Sequence, residues 1–341
     1  MIEKKSTAVI IPNYNGLKFM EVCMDALKKQ SFRDFYVIIV DNGSTDGSVE
    51  YIEKLREEKL AEAILLPENT GFSGAVNTGI EKASRDGAKY AVLLNNDTEA
   101  FPDYLEKLIE CIEKDERIFS VSPLMIQYHN RELIDDAGDG YNLLGWGFQM
   151  GVGHRTEEAK YSREREVFSA CAGAAAYRIK LLEKIRLSEG EYFDREHFAY
   201  LEDIDLGYRA RLYGYKNLYC PSSRIYHIGS GTSGSKYNSF KVRLAARNNI
   251  WLCFKNMPLL QLIINLPVLF LGTAIKMLFF LKKGFLKDYM KGLSEGLKGA
   301  GGQRRVKFSI KRLSACLYIE WLLIKNTFIY AEEFLIRKIK N

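Results

Sequence analysis

Tyr90-Ala91-Val92-Leu93-Leu94-Asn95-Asn96-Asp97-Thr98-Glu99-Ala100, residues 90–100, is the stretch whose reading decides the fold. Five residues of strand character run straight into two amides and a carboxylate. An Asx turn accounts for polarity at the end of a strand. It does not by itself account for a lone Asp at the mouth of one.

The chain on the amino-terminal side repeats the pattern. Thr7–Ile11 is an apolar run ended by Pro12, and Leu17–Lys29 has helical spacing. Phe35–Val40 runs into Asp41-Asn42-Gly43, and Ser48–Glu58 is helical. Ala63–Leu66 reads as a short strand, Ala75–Ala83 as a helix, and Tyr90–Leu94 closes the series. Short strands alternating with amphipathic helices predict βαβ units and a parallel sheet. Ligands of such sheets bind at the carboxyl ends of the strands. Three polar clusters fall there: Asn13 to Asn15, Asp41 to Asp46, and Asn95 to Asp97.

Downstream, residues 130–160 are rich in Gly, Asp and aromatics and read as loops and short strands forming a flap. Val167–Arg178 is small and apolar, Phe198–Tyr213 reads as a loop entering a helix, and residues 228–238 are a Gly/Ser loop of mobile character. Composition breaks near Met257. Residues 257–281 are mostly apolar, interrupted by Gln261, Asn265, Pro267 and Lys276. About 20 apolar residues suffice to span a bilayer. The internal proline and polar residues, and the basic amphipathic stretch that follows, favour helices lying on an anionic membrane surface. A buried helical pair closing the domain is the plainer alternative. The expected organisation is therefore a sheet domain over residues 1–255 and a membrane-associating helical region over 256–341.

The net charge of +6 hides an asymmetry. From residue 281 onward 14 basic residues stand against 5 acidic ones, which leaves +9 on the tail and −3 on the rest. A basic tail calls for an anionic partner. Its basic residues are interleaved with Leu, Phe and Ile, which suits a bilayer and argues against nucleic acid. Six cysteines are scattered without a CxxC pair, so no zinc ribbon or redox motif is expected. The amino-terminal run lacks a signal-peptide pattern, and a mean hydropathy of −0.18 argues against a polytopic protein.

Each polar motif has a chemical and a structural reading. Asp41 in DNGSTD can accept from a base or ribose, or the segment is a strand-to-helix turn with Asp46 as cap. Residues 69–79, NTGFSGAVNTG, offer backbone N–H groups to a phosphate, or form a capped loop. Asp97 suits a divalent cation shared with substrate phosphates. Glu202-Asp203-Ile204-Asp205, placed before a helix over Leu206–Leu212, can supply a general base or merely complement the helix dipole. His227 is a metal ligand, a contact to the leaving phosphate, or a structural histidine.

The order of the motifs is more specific than any one of them. PNYN at 12–15, DNGSTD at 41–46, NTGFSGAVNTG at 69–79, LLNND at 93–97, CAGAAAYRIK at 171–180 and YLEDIDLGYRARLYGY at 200–215 together resemble a family 2 glycosyltransferase. The resemblance covers about residues 6–255. It is closest to the bacterial rhamnosyltransferase-like branch, in which Asn-Asn-Asp replaces Asp-x-Asp. It implies a GT-A fold: a mixed, mainly parallel Rossmann-like sheet flanked by helices. It implies that Pro12, Asn13, Asn15, Asp41, Asn69, Gly71, Asn77 and Asn96 line the nucleotide-sugar site and that Arg247 approaches the diphosphate. Asp97, with His227, would hold Mg²⁺ or Mn²⁺; Asp203 would be the catalytic base, with Glu202 and Asp205 positioning the substrates. Asn95 leaves the metal site one carboxylate short of many relatives.

The implied activity is inverting transfer of a sugar, with L-rhamnose from dTDP-rhamnose as first choice, from a nucleotide diphosphate donor to a lipid-linked glycan. The chain would sit at the cytoplasmic membrane face, with a second copy of itself kept as a possible partner. The alternative is a non-catalytic nucleotide-sugar-binding subunit of a glycan assembly complex.

Overall fold

The structure, a computed structural model, describes residues 3–228, 237–306 and 308–340. Most of the Gly/Ser loop read at 228–238 lies outside the described residues.

In chain order the elements are β1 (Thr7–Asn13), α1 (Leu17–Lys28), β2 (Phe35–Asn42), α2 (Ser48–Glu57), β3 (Glu62–Leu66), α3 (Gly71–Arg85), β4 (Tyr90–Leu94), β5 (Thr98–Ala100), α4 (Tyr104–Glu113) and β6 (Ile118–Gln127). They continue as β7 (Ile134–Asp136), β8 (Asp139–Tyr141), β9 (Gly147–Gln149), β10 (Arg165–Val167), β11 (Ala174–Arg178), α5 (Ile179–Ile185), α6 (Glu202–Leu212) and β12 (Lys216–His227). Four helices follow: α7 (Ser239–Asn256), α8 (Leu259–Lys283), α9 (Leu286–Gly299) and α10 (Leu313–Lys340).

A ten-stranded sheet runs β10-β12-β6-β11-β4-β1-β2-β3, with β5 added to β12 and β7 to β6. β3, β2, β1 and β4 are mutually parallel, as is the β6–β12 pair, whereas β11 and β10 run antiparallel to their neighbours. The chain leaves β1 for β2 and β3, then returns to the other side of β1 at β4. That reversal opens a crevice at the carboxyl ends of β1 and β4, where α/β sheets bind ligands.

Both faces of the sheet are covered. On one, Met20, Cys23, Met24 and Leu27 of α1 and Leu105, Leu108 and Ile112 of α4 pack against Val9, Ile11 and Val92. On the other, Val76, Ile80 and Ala83 of α3 and Leu206 and Ala210 of α6 pack against Ile10, Ile38 and Leu93. Each such side chain contributes about 1.5–3 kcal/mol relative to exposure. Two-sided burial explains why these strands read as continuous apolar runs.

Three boundaries differ from the sequence reading. β1 runs through Pro12 to Asn13. Pairing of β1 with β4 stops at Ile10, so no ladder bond on that side needs the missing N–H. α3 begins at Gly71 rather than Ala75, which makes the glycine-rich segment the first turn of the helix. Its start is fixed by Asn42, whose Oδ1 accepts from Thr70 N and Thr70 Oγ1, both at 2.9 Å. α6 begins at Glu202, so its acidic residues lie in its first turn rather than ahead of it.

The composition break coincides with the α7–α8 junction at Met257 and Pro258. The C-terminal helices share a core with the sheet domain: Ile319, Leu322 and Leu323 of α10 cluster with Tyr208 of α6 and Tyr141 of β8.

Candidate active site

The first end of the site is built from amides. Parallel register sets Asn13 beside Asp41, and Asn13 Nδ2 donates to Asp41 Oδ1 at 2.8 Å. Asn96 Nδ2 donates to Asn13 Oδ1 at 2.6 Å and so spans the crevice between β1 and β4. Gly16 is obligatory here, because a Cβ would collide with the Asn96 amide. Ser44 N donates to Asp41 Oδ2 at 2.9 Å, Asn15 N donates to Ser44 Oγ at 2.9 Å, and Thr45 N donates to Asn15 Oδ1 at 2.8 Å. Asp41 and Asn13 are buried, yet a carboxylate has acceptor capacity beyond these two bonds. Asn69 Oδ1 accepts from Gly71 N at 2.9 Å and from Asn42 Nδ2 at 3.0 Å, fixing the loop before α3. Asn42 and Ser44 were not singled out in the sequence; their place at the end of β2 was the available signal.

The second end is charged. β5 pairs antiparallel with β12, Thr98 opposite His227, which carries His227 to Asp97 across more than a hundred residues of chain. His227 Nε2 lies 3.5 Å from Asp97 Oδ1, and its Nδ1 lies 2.7 Å from Asp135 Oδ2. Burial opposes charge on the imidazole, but the hydrogen bonds it donates to Asp135 and then Asp97 outweigh it and raise His227 to about 10. As they stand, Asp97 and the protonated imidazole form an ion pair; with the Nε2 proton displaced they would hold a divalent cation, the ring oriented by an outer carboxylate partner. Asp135 is that partner, and the sequence reading missed it.

Asp203 and Glu202 lie at the opposite side of the residue 135–139 segment. Asp203 Oδ1 accepts from Ile204 N at 2.7 Å, and its carbonyl accepts from Ser169 Oγ at 2.6 Å. Asp139 is buried close to the Asp203 carboxyl, whose charge acts on it. Burial, then the charges of Asp136 and Asp203, raise Asp139 well above the carboxylate range. Burial also raises Asp203, and burial with the Asp203 charge raises Glu202 to about 8. Raised carboxyls side by side are what a general base at neutral pH needs.

Three expected site residues are engaged elsewhere. Asn77 is fully buried in α3, donates to Phe193 O at 2.7 Å and accepts from Tyr192 N and Phe193 N, so it braces that segment. Asp205 is sealed in an ion cluster with Lys255 Nζ at 2.8 Å, Arg209 Nε at 3.1 Å and Asn256 Nδ2 at 2.7 Å. Arg247 donates to the carbonyls of Glu196 at 2.7 Å and His197 at 3.1 Å and stacks over Trp251. Pro12 and Asn15 border the amide end, and Gly71, at φ +76°, lies under Phe198. All six cysteines are free, although Cys111, Cys220 and Glu164 converge in space.

The model of the family described as Glycosyl transferase family 2 matches residues 8–186, just over half of the chain. The N-acetylglucosaminyl-diphospho-decaprenol L-rhamnosyltransferase of Mycobacterium tuberculosis is 24% identical over 266 residues, covering 71% of this chain and 85% of that protein. The uncharacterized glycosyltransferase YibD of Escherichia coli is 35% identical over 109 residues, 32% of this chain. The matches span only 31% of YibD and 16% of the glycosyltransferase GlyA of Streptococcus pneumoniae. Among solved structures, the mannosyltransferase PcManGT of Pyrobaculum calidifontis, in complex with GDP-Man and Mn²⁺, aligns over 98% of this chain and 88% of its own with a TM-score of 0.53 and 16% identity. Residues 1–349 of TarS from S. aureus, in complex with UDP-GlcNAc, align over 89% of this chain and 94% of their own with a TM-score of 0.53 and 15% identity. These likenesses show the GT-A fold.

Proposed function

This chain belongs to glycosyl transferase family 2, and we propose that it inverts the anomeric carbon of a nucleotide diphosphate sugar while transferring that sugar to a lipid-linked glycan. The observation that carries the reading is the residue 135–139 segment. Asp135 at one end bonds His227 beside Asp97, and Asp139 at the other lies close enough to Asp203 for their charges to interact. One short stretch thus ties a cation-binding pair to a carboxyl of raised proton affinity.

In the reaction, the acceptor hydroxyl attacks C1 of the sugar. Its proton passes to Asp203, the C1–O bond to the diphosphate breaks, and the bonding pair leaves with the phosphate oxygen. A neutral Asp139 beside it would spare the Asp203 carboxylate a second negative charge. Asp97 and His227 would hold Mg²⁺ or Mn²⁺, which supplies charge neutralisation for the leaving diphosphate. Asn13, Asp41 and Asn96 form a preorganised amide wall for the nucleotide, so donor binding needs little rearrangement. The mycobacterial relative, an L-rhamnosyltransferase by name, supports L-rhamnose as the first sugar to test, and dTDP-rhamnose is the donor we would try first.

The C-terminal helices support a lipid-linked acceptor at a membrane face. Gln261 and Asn265 of α8 turn inward and donate to Glu320 of α10 at 2.7 and 2.9 Å. Outward stand Leu260, Ile264, Phe270 and Leu278, the last two 75% and 63% exposed. On α10, Leu317, Trp321 and Phe328 are also exposed. Polar-in, apolar-out is the reverse of a water-facing helix and marks contact with an apolar phase. α8 carries the hairpin that begins at Asp139: Trp146 Nε1 donates to Gly272 O at 3.2 Å, and Asn326 of α10 donates to Tyr141 O at 2.9 Å. These bonds support an acceptor that approaches from the apolar face.

The test is a nucleotide-sugar screen on the full chain with and without Mg²⁺ or Mn²⁺. The reading expects metal-stimulated release of nucleoside diphosphate from one donor. Calorimetric binding of a donor with no turnover against lipid-linked acceptors would replace it with a binding subunit. Phe270→Glu with Leu278→Glu is expected to abolish co-sedimentation with anionic vesicles; undiminished binding would remove the membrane assignment.

A further inference from the structure

Residues 196–201 join the two halves of the site. Phe198 O accepts from Ser73 N at 3.2 Å, and the Phe198 backbone and ring close over Gly71, so this turn rests on the start of α3. Three residues later, Leu201 caps α6 and Glu202-Asp203 follow. Between these fixed points, Phe198, Tyr200 and Leu201 take φ of 63°, 72° and 67°. Bulky L-residues avoid the left-handed region, and no glycine relieves any of the three. Among the described non-glycine residues only Asn15 and Lys59 share that sign. Such a turn persists where its surroundings over-determine it.

The surroundings converge on one side chain. Asn248 of α7 is 0% exposed, and its Nδ2 donates to the carbonyls of His197 at 2.9 Å, Ala199 at 2.9 Å and Tyr200 at 2.8 Å. Arg247 Nε donates to Asn248 Oδ1 at 2.9 Å, which dictates that the NH₂ end of the amide faces the turn. No single backbone ladder does this work, because residues 198–201 lie between a 3₁₀ turn over Arg195–His197 and the start of α6 and belong to neither. Asn248 touches no group of the proposed reaction. Its bonds end on the backbone that sets where Asp203 begins.

We propose that Asn248 is a positioning residue for sugar transfer, holding the left-handed turn at 197–201 so that Asp203 enters the site in working orientation. This rests on the reading of Asp203 as the base. It extends that reading to the segment that connects the base to the donor loop at 69–73. An aspartate at 248 puts an acceptor oxygen against three carbonyls, an alanine removes all three bonds, and a serine keeps one donor.

The experiment uses the full chain carrying Asn248→Asp, Asn248→Ala or Asn248→Ser, alone and on Asp203→Asn. Hydrogen exchange reads the turn: amides of 199–205 should exchange roughly tenfold faster or more in Asn248→Ala, with β1 and β4 unchanged. Nucleoside diphosphate release from dTDP-rhamnose and UDP-GlcNAc with Mn²⁺ reads function. The expected loss is roughly 100-fold in kcat with donor KM within about threefold, since small misplacements have that effect. On Asp203→Asn the same substitution should cost no more than about twofold, and Asn248→Ser should recover part of the wild-type rate. Unchanged exchange at 199–205, or an undiminished loss on the Asp203→Asn background, overturns the proposal. Wild-type turnover by Asp203→Asn alone would instead remove the base reading, and exchange would still decide whether Asn248 holds the turn. Exchange decides likewise if neither donor is hydrolysed, and Asn248→Ser carries the test if Asn248→Ala does not fold.

Discussion

The two ends of the cleft are built on opposite plans. At the β1–β2–β4 end, neutral amides from Asn13, Asn96, Asn42 and Asn69 hold one another and one carboxylate in closed hydrogen-bond chains. At the other end, Asp135, Asp136, Asp139, Glu202 and Asp203 crowd together with few amides between them, and Asp136, Asp139 and Glu202 each keep a buried oxygen without a partner. The amide end is rigid and electrically quiet, suited to recognising a nucleotide. The carboxyl end stores unfavourable charge that a proton or a cation relieves, suited to chemistry. Substitutions should therefore separate binding from turnover according to which end they strike.

The largest separation is expected at Asp203. Asp203→Asn preserves shape and removes the proton acceptor, so kcat should fall by roughly 10²–10⁴, the range for losing a general base, with donor affinity unchanged by calorimetry. Wild-type turnover would break the comparison at its strongest point. Asp135→Asn comes next. It leaves Asp97 and His227 in place but changes what orients the ring, and should weaken Mn²⁺ binding by about 10–100-fold, read by titration of the free ion. Unaltered Mn²⁺ affinity would mean that His227 is held for structural reasons. At the amide end, Asn13→Ala strips partners from both Asp41 and Asn96. Leaving such buried groups unpaired costs about 1–3 kcal/mol, so donor binding should weaken by roughly tenfold while kcat at saturation stays within a few-fold. A kcat loss as deep as that of Asp203→Asn would erase the distinction between the ends.

The amide end was legible in the sequence because consecutive βαβ units put its residues at successive strand ends, a rule that needs no knowledge of long-range pairing. Asn13, Asp41 and Asn96 follow from it directly. The carboxyl end was legible only where a helix announced it, at Glu202 and Asp203. Asp135 and Asp139 stand in strands of three residues, too short to alternate visibly, inside a Gly- and aromatic-rich run that reads as a flap. Their placement depends on β7 joining β6 and on β8 pairing with β9, which periodicity does not encode. Asn77 and Arg247 stand in apt positions by motif, yet neighbours distant in sequence absorb their hydrogen bonds. Asn248 was invisible for the same reason: its helix buries residues on more than one side, so no stripe distinguishes it.

The smallest expected effect sharpens the comparison through stability rather than rate. Glu202 is 8% exposed and raised to about 8, first by burial and then by the Asp203 charge. An unfolded chain releases that proton near the ordinary glutamate value of about 4.3. Between those values the native state holds a proton that the unfolded state does not. Stability from this group is therefore complete at low pH, declines as pH rises through the interval, and is lost above about 8. The shared charge with Asp203 limits the amplitude to on the order of a few kcal/mol. Glu202→Gln, neutral at every pH, should flatten the decline and raise Tm at pH 8 by a few degrees while changing little at pH 5. Asp41→Asn at the amide end should produce no matching gain at pH 8, since its carboxylate accepts from Asn13 and Ser44 in the native fold. If both substitutions stabilise equally at high pH, excess negative charge belongs to the whole cleft and not to its carboxyl end. If only Glu202→Gln does, the stored repulsion lies where proton transfer is proposed, and the fold tolerates it there because Asp203 needs a raised proton affinity to act as base.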